Sequence, residues 1–228
     1  MSSNVVFVIP AYNEGEAVKN TVKSIPKEFD VVCVNDGSRD DTLAQLKRTR
    51  AKVVSHSVNL GQGAALQTGI EYALMSPNTE YVVTFDADGQ HRIEDVRAML
   101  KYITKHKIDI VLGSRFLGEA VNMPRMKRFL LKLAVKFSNM SAGGGMKLTD
   151  THNGLRVMNR KAAEAMQLKM PDFAHASEIL DRIVEKKLSY AEVPVTIVYT
   201  EYSMAKGQSM INGINIIFDV ILGKVVGK

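Results

Sequence analysis

The sequence predicts an α/β protein with an open, twisted, mostly parallel sheet and helices on both of its faces. The first observation is a set of five short apolar runs rich in Val and Ile, as expected for parallel strands that are buried on both sides. These runs span residues 5–10, 31–35, 52–55, 81–86 and 109–113. The second observation is that helically spaced segments alternate with the runs, which implies right-handed crossovers. These segments span residues 16–25, 40–50, 61–75 and 93–105.

A polar motif stands at the end of most of the predicted strands. In chain order, the motifs are Pro10-Ala11-Tyr12-Asn13-Glu14, Asn35-Asp36-Gly37-Ser38-Arg39-Asp40, Asn59-Leu60-Gly61-Gln62-Gly63, Asp86-Ala87-Asp88-Gly89-Gln90 and Gly113-Ser114-Arg115. Open α/β sheets bind ligands beyond the carboxyl ends of their strands. We therefore expect these motifs to meet at one binding site.

The early motifs also have purely structural interpretations. Asn13 and Asp40 are suitable caps for the helices that follow them, and Asp36-Gly37 is a typical turn. The two glycines after Asn59 let a backbone approach a ligand closely, but the segment lacks the Lys-Ser/Thr ending of a nucleotide-hydrolase loop. As a phosphate loop it is a weak signal.

Asp86, Asp88 and Gln90 follow the buried run 81–85 and form a candidate metal site. Mg²⁺ and Mn²⁺ prefer oxygen ligands, and proteins often hold them with one or two carboxylates plus substrate phosphates. In an extended segment Asp88 and Gln90 would point the same way. The alternative is an ordinary Asp-Gly turn.

Bulk composition limits the partners of the chain. Its 228 residues suit one large domain or a domain with an appendage. The net charge is +6, and the acidic first half contrasts with a basic second half. A basic surface suits phosphates, anionic lipid or nucleic acid. Nucleic acid is the least supported partner, because aromatic residues are few and the sequence carries no nucleic-acid-binding signature.

The single cysteine, Cys33, lies in an apolar run, and we expect it to be a small buried hydrophobe. No basic segment precedes the short apolar stretch 5–9, so the sequence predicts no secretory signal and a cytoplasmic protein. No window reaches the ~18 consecutive apolar residues of a spanning helix. Membrane contact is therefore expected to be peripheral.

Together, the ordered motifs resemble the family 2 glycosyltransferases, which have the GT-A fold of nucleotide-diphospho-sugar transferases. The resemblance is to the branch that includes dolichol-phosphate mannose synthase, and it covers about residues 4 to 200. Besides the motifs above, it rests on His91 and on Asn153-Gly154-Leu155-Arg156. One departure is Asn35, where the family usually has a second acid.

The resemblance implies a role for each matching position. Residues assigned to the nucleotide-sugar donor are Pro10, Ala11, Tyr12, Glu14, Asp36, Gly61, Asp86 and Lys206, with Asp36 bonding the base or ribose. Asp88 and Gln90, with Asp86, would hold Mg²⁺ or Mn²⁺ against the diphosphate. Arg115 and Arg156 would grip an acceptor phosphate, which suits the planar fork of a guanidinium. Alternatively, Arg115 and Arg156 are solvated or ion-paired surface residues, and Lys206 is an exposed loop lysine.

The chemistry of sugar transfer constrains the rest. Cleavage at the anomeric carbon needs a cation for the leaving diphosphate and a nucleophile on the opposite face, so direct displacement would invert that carbon. A hydroxyl acceptor needs a base, whereas a phosphate monoester is already anionic near neutral pH. The candidate bases are Asp150, His152 and Glu178, and Asp150 is equally suited to orienting an arginine. Glu178 is predicted to lie at the N-terminus of a helix, where its charge alone would be favourable. His91 and His152 are expected to be turn residues.

Two basic amphipathic segments mark the second half. In residues 126–137, apolar side chains recur at helical spacing and lysines or arginines take other positions. This helix either packs on the sheet or lies in a lipid headgroup layer. Residues 210–228 are predicted to be a C-terminal amphipathic helix after a catalytic domain of residues 1–209. This segment is suited to docking at a membrane interface, to self-association or to binding a small membrane protein.

The favoured hypothesis is therefore a metal-dependent, inverting transferase that moves sugar from a nucleotide diphosphate to a polyprenyl phosphate at the cytoplasmic face of the membrane. A rival transfers sugar to a hydroxyl of a lipid-linked glycan and needs Glu178 or Asp150 as a base. The non-enzymatic alternative is a sugar-nucleotide-binding subunit.

Overall fold

The computed structural model describes residues 3–141, 146–170 and 174–204. Seven strands form its sheet: β1 (Val5–Ala11), β2 (Asp30–Asp36), β3 (Lys52–His56), β4 (Tyr81–Thr84), β5 (Ile110–Val121), β6 (Arg156–Asn159) and β7 (Tyr190–Val198). Seven helices accompany them: α1 (Glu16–Ser24), α2 (Thr42–Leu46), α3 (Gln62–Leu74), α4 (Ile93–His106), α5 (Arg125–Ser141), α6 (Arg160–Ala165) and α7 (Ala174–Glu185). Lys206 and the predicted helix 210–228 lie outside the described residues.

The strand order is β3-β2-β1-β4-β6-β5-β7, and only β6 runs antiparallel to its neighbours. The predicted mostly parallel α/β sheet is therefore confirmed. Strands β6 and β7 were not predicted, because β6 has only four residues and the apolar side chains of β7 are interrupted by polar ones. The predicted helix 40–50 is shorter than expected, since α2 ends at Leu46.

Two apolar clusters cover the two faces of the sheet. Along β1, Phe7 and Ile9 belong to the cluster that includes α1 and α4, whereas Val6 and Val8 belong to the cluster that includes α3 and α7. This alternation follows from the period of two along a strand. Cys33 is fully buried, as predicted.

Strand direction brings the motifs to one edge of the sheet. The parallel strands β1, β2 and β4 end together, and β6 begins there because it runs the other way. In the register of the sheet, Arg156 pairs with Thr84 at the end of β4 and with Leu112 on β5. Arg156 therefore stands between the Asp86 motif and Arg115.

No helix within the described ranges has both the length and the apolarity that crossing a bilayer requires. Helix α5 is the predicted basic amphipathic helix, and it begins at Arg125.

Candidate active site

Asp86 and Asp88 lie in the loop that follows β4. Residues 87 and 88 form a turn, so the predicted extended geometry of this segment is wrong. Asp88 Oδ1 accepts the backbone N–H of Gln90 at 3.1 Å. The carbonyl of Gln90 accepts the backbone N–H of Val198, also at 3.1 Å. These bonds fix the turn against the end of β7.

Asp86 is held from three sides. Its Oδ2 lies 2.8 Å from His91 Nε2, and its Oδ1 accepts a long bond of 3.5 Å from Gln62 Nε2. The backbone of Gly154 packs against the carboxylate so closely that a Cβ there would lie 2.2 Å from Oδ2. Burial opposes ionisation, but His91 and Arg156 hold the pKa of Asp86 below its usual value. Asp86 is therefore a positioned carboxylate.

Asp88 has the opposite electrostatic environment. Burial, followed by the charges of Asp86 and Glu14, raises its pKa to about 6. Like charges close together oppose ionisation of one another. The pair therefore stores repulsion that a bound cation would relieve.

The donor set fits a hard divalent cation that is shared with a ligand. Asp86 and Asp88 supply oxygen atoms, the type of ligand that Mg²⁺ and Mn²⁺ prefer. Within the described ranges, no three His, Cys, Asp or Glu side chains are arranged to hold a metal by themselves. A cation bound here would need further oxygens from water or a substrate.

Arg115 follows the regular part of β5 and is buried. Its backbone N–H and its Nε both donate to Asp150 Oδ2, at 3.0 and 2.6 Å. Its Nη1 donates to the Tyr199 hydroxyl at 2.8 Å. Lys127 on α5 lies over the Tyr199 ring, 4.6 Å from its centroid. Arg115 is therefore neither a solvated nor a loosely held surface residue.

Glu192 holds the segment that contains Asp150. Glu192 on β7 accepts the backbone N–H of Asp150 at 3.0 Å and the backbone N–H of Thr149 at 2.8 Å. It also accepts the Thr149 hydroxyl at 2.9 Å. Glu192 thus orients the residue that orients Arg115.

Arg156 is buried with few protein partners. Its Nη1 donates a long bond of 3.5 Å to the carbonyl of Gly154, and no carboxylate in the described parts of the chain lies within the 4.0 Å of an ion pair. Burial lowers its pKa to about 10, and the charge of Arg115 contributes to the same shift. Buried charges normally have a close partner. This guanidinium is accordingly available to an anion.

Two of the three predicted bases, Asp150 and Glu178, are occupied by protein N–H groups. Asp150 binds Arg115, as described above. Glu178 accepts the backbone N–H of Lys169 at 2.9 Å and that of Met170 at 2.9 Å. It lies in the second turn of α7, so the predicted position at the helix N-terminus is wrong. His152 Nδ1 lies 2.7 Å from the Thr151 hydroxyl, and burial lowers its pKa.

Asp36 is also engaged inside the protein. Its Oδ1 lies 2.7 Å from His56 Nδ1 and accepts the N–H of Leu60, and its Oδ2 accepts the N–H of Gly61 at 2.9 Å. Gly61 has a φ of 92°, which a side chain would disfavour. The carboxylate thus shapes the loop before α3, and the predicted contact with a base or ribose would be additional to these bonds.

The motif at the end of β1 contains both buried and exposed residues. Pro10 and Ala11 are buried, whereas Tyr12 is exposed. Glu14 Oε2 accepts the hydroxyl of Tyr202 at 2.8 Å. Asn13 does not cap α1; its side chain accepts the N–H of Arg39 at 2.9 Å and joins the first two motifs.

Two buried polar atoms near the carboxylates have no hydrogen-bond partner in the described structure, His91 Nδ1 and Asn153 Nδ2. Such atoms are uncommon in folded proteins. His91 was predicted to be only a turn residue, but its contact with Asp86 makes it part of the site. Tyr199 and Glu192 carried no local signal, because their partners are far away in the sequence, and Lys127 was predicted only as part of the basic helix 126–137.

The comparison with known families agrees with this geometry. The model of the family described as glycosyl transferase family 2 matches residues 6–166, which include both aspartates and both buried arginines. The chain belongs to glycosyltransferase family 2. The predicted resemblance is confirmed, and the protein is an enzyme of the glycosyltransferase class.

Two relatives of this family 2 chain act on polyprenyl phosphates, according to their names. A UDP-N-acetylglucosamine–dolichyl-phosphate N-acetylglucosaminyltransferase of Methanococcus voltae is 31% identical, and the match covers 97% of this chain and 96% of the relative. An undecaprenyl-phosphate mannosyltransferase of Micrococcus luteus is 26% identical, and the match covers 91% of each chain.

Solved structures confirm the GT-A-like fold of the family 2 chain. A glucosyl-3-phosphoglycerate synthase from Mycobacterium tuberculosis, in complex with Mn²⁺ and uridine-diphosphate-glucose, superposes with a TM-score of 0.66. The match covers 92% of this chain and 75% of the synthase, at 18% identity. This likeness concerns the fold alone.

Proposed function

We propose that the chain transfers a sugar from a nucleotide-diphosphate sugar to a polyprenyl phosphate, with inversion at the anomeric carbon and with the help of Mg²⁺ or Mn²⁺. The reaction takes place at the cytoplasmic face of a membrane. The observation that carries the proposal is the buried Arg156, which stands between the aspartate turn and Arg115 and has no carboxylate within 4.0 Å among the residues that the structure describes.

Asp86, Asp88 and Gln90 would hold the cation, and a bound cation supplies positive charge to the leaving diphosphate. His91 and Gly154 keep Asp86 in place for this task. The donor would lie along the ends of β1 and β2, where Tyr12 is exposed and Gly61 opens α3. The Mn²⁺ and uridine-diphosphate-glucose in the synthase structure support this type of donor.

Arg115 and Arg156 would bind the acceptor phosphate. Arg115 keeps its Nη2 free of protein bonds in the described structure, since Asp150 and Tyr199 take its other donors. A phosphate monoester is largely a dianion near pH 7 and attacks without a base. This agrees with the protein contacts that occupy Asp150 and Glu178, two of the three candidate bases. The two relatives named for polyprenyl phosphates support the same acceptor.

Transfer to a short isoprenyl phosphate and to the matching isoprenyl alcohol tests the proposal, with Mn²⁺ and a panel of nucleotide sugars. Arg156→Gln should lower kcat/KM for the phosphate at least about tenfold, because a charge-assisted bond is lost. The exposed Arg48→Gln is the matched control and should behave like the parent.

Glu178→Gln should retain transfer to the phosphate. Preferential transfer to the alcohol, abolished by Glu178→Gln in a variant that remains folded, would overturn the proposal in favour of a hydroxyl acceptor. The product formed from an α-linked donor should carry a β-linked sugar, which NMR of the anomeric proton would establish.

A further inference from the structure

Helix α5 exposes apolar side chains. Met126, Phe129 and Leu133 are 68%, 59% and 39% exposed. Their spacing of three and four residues places them in one stripe along the helix. The predicted alternative of ordinary packing onto the sheet therefore does not apply to this stripe.

A basic stripe runs beside the apolar one. Arg125, Arg128, Lys132 and Lys136 are exposed and recur at the same helical spacing. Helix α5 contains no Asp or Glu between Arg125 and Ser141. The exposed surface of α5 is thus apolar and cationic, without acidic residues.

We propose that this surface of α5, made of Met126, Phe129, Leu133 and the four basic residues, docks on the headgroup layer of an anionic lipid bilayer. Apolar side chains of an interfacial helix enter the acyl boundary, while flanking lysines and arginines bind anionic headgroups. The inference rests on the proposed function for its purpose, because docking would present the site to a lipid-borne acceptor.

Charge distinguishes this occupant from two others. A second copy that paired symmetrically through this face would bring the same four basic residues, and residues 205–228 contain three Lys and one Asp. Both would bring more positive charge to the four cations of α5. An anionic bilayer brings the opposite charge.

The helix is also close to the proposed acceptor site. Lys127, on the inner side of α5, lies over the ring of Tyr199, and the hydroxyl of Tyr199 accepts a bond from Arg115 Nη1. Lys132 lies over the ring of Phe116, the residue that follows Arg115. Docking of α5 would therefore bring a bilayer next to Arg115.

The absence of Trp from the sequence permits a direct test. Phe129→Trp places a single Trp in the apolar stripe, and Met75→Trp places one at a position that is 78% exposed at the end of α3. Both full-length variants are mixed with vesicles of phosphatidylcholine alone or with about 40% phosphatidylglycerol, a fraction chosen to give a negative surface potential.

With anionic vesicles, the emission of the Phe129→Trp variant should shift to the blue and be quenched by brominated acyl chains, and that of Met75→Trp should not change. Replacing Arg125, Arg128 and Lys132 with Gln should weaken vesicle binding at least about tenfold, since each basic residue contributes roughly 1 kcal/mol. Replacing three exposed lysines of α4 and its C-terminal cap, Lys101, Lys105 and Lys107, with Gln should leave vesicle binding unchanged.

Vesicle binding with unchanged Phe129→Trp emission would overturn the proposal, because another segment would then be the docking site. Blue emission without vesicles would also overturn it. If that blue-shifted emission depended on protein concentration, a second copy of the chain would cover the apolar stripe. If it did not, another segment of the same chain would cover the stripe. Transfer to a soluble short-chain isoprenyl phosphate tests the proposed function separately, since it requires no bilayer.

Discussion

Glu192 accepts the backbone N–H of Asp150 at 3.0 Å, and the carboxylate of Asp150 in turn binds Arg115 through Nε at 2.6 Å. Three strands or loops that are distant in sequence thus determine the direction of one guanidinium. The relationship gives Glu192 a positioning role, because it reaches Arg115 only through Asp150.

Glu192→Ala should raise KM for the acceptor phosphate about tenfold and leave the affinity for the donor unchanged, because only the support of Arg115 is lost. Steady-state kinetics with the acceptor varied, and donor titration by calorimetry, would measure the two effects. Glu119→Ala, an exposed position on neighbouring β5, is the control. Equal losses of donor and acceptor binding would contradict a positioning role.

The pKa of Asp88, about 6, predicts that this residue destabilises the fold at neutral pH. Folding favours its protonated form, so its stabilising effect is present under acidic conditions and is lost as pH rises through about 6. Asp88→Asn should therefore raise the free energy of unfolding by about 2 kcal/mol at pH 7.5, in the absence of divalent cations.

Urea unfolding of the parent and Asp88→Asn at pH 7.5 and 5 would test this prediction. The increase in the free energy of unfolding caused by Asp88→Asn should be smaller at pH 5 than at pH 7.5. The variant should nevertheless be inactive. A loss of stability at pH 7.5 would show that the carboxylate stabilises the fold.

The lowered pKa of Asp109 predicts the opposite pH dependence of the free energy of unfolding. Burial opposes its ionisation, but bonds from Ser189, Asn159 and Lys161 lower its pKa to about 2. Its contribution to stability is therefore present above about pH 4 and is lost as pH falls through about 2. Asp109→Asn should lower the free energy of unfolding at pH 7 by about 2 kcal/mol.

The exposed Asp181→Asn is the control for that change. Denaturant unfolding at pH 7 and 2.5 should show the difference between parent and Asp109→Asn narrowing at the lower pH. A difference that stays constant would show that the lost bonds are not coupled to ionisation.

Gly154→Ala should abolish transfer, because the new Cβ would lie 2.2 Å from Asp86 Oδ2 and displace the carboxylate. Circular dichroism would show whether the sheet remains intact, and Mn²⁺-dependent donor binding would report on the site. Gly89→Ala is a useful comparison, since the nearest atom to its Cβ would be Thr21 Oγ1 at 3.9 Å, although its φ of 73° adds backbone strain. A fully active Gly154→Ala enzyme would contradict the assigned packing.

Much of the fold follows from local sequence patterns. The apolar runs of β1 to β4 and the helical spacing of α1, α3 and α4 predict these elements within a few residues, because each pattern has the period of its own structure. Strand β6 was missed, since four residues carry little periodicity. Its antiparallel direction is nevertheless what brings Arg156 to the active edge.

The candidate site was predictable only where its residues form compact motifs. Asp86 and Asp88 follow the end of β4, and Arg115 lies where the pairing of β5 with β7 becomes irregular, so their motifs mark the active edge of the sheet. Glu192 and Tyr199 bind partners that are 42 and 84 residues away, so no local pattern marks them. The occupation of Glu178 by backbone N–H groups likewise depends on tertiary packing.

The metal-dependent donor site is tested most directly by calorimetric titration of the parent and Asp88→Ala with UDP and GDP, each with Mn²⁺ or with a chelator. If Asp88 holds the cation against the donor diphosphate, one nucleoside diphosphate binds the parent only with Mn²⁺, and Asp88→Ala loses this binding while remaining folded. Binding that is equally tight with Mn²⁺ and chelator, and unchanged in Asp88→Ala, would contradict this role of Asp88.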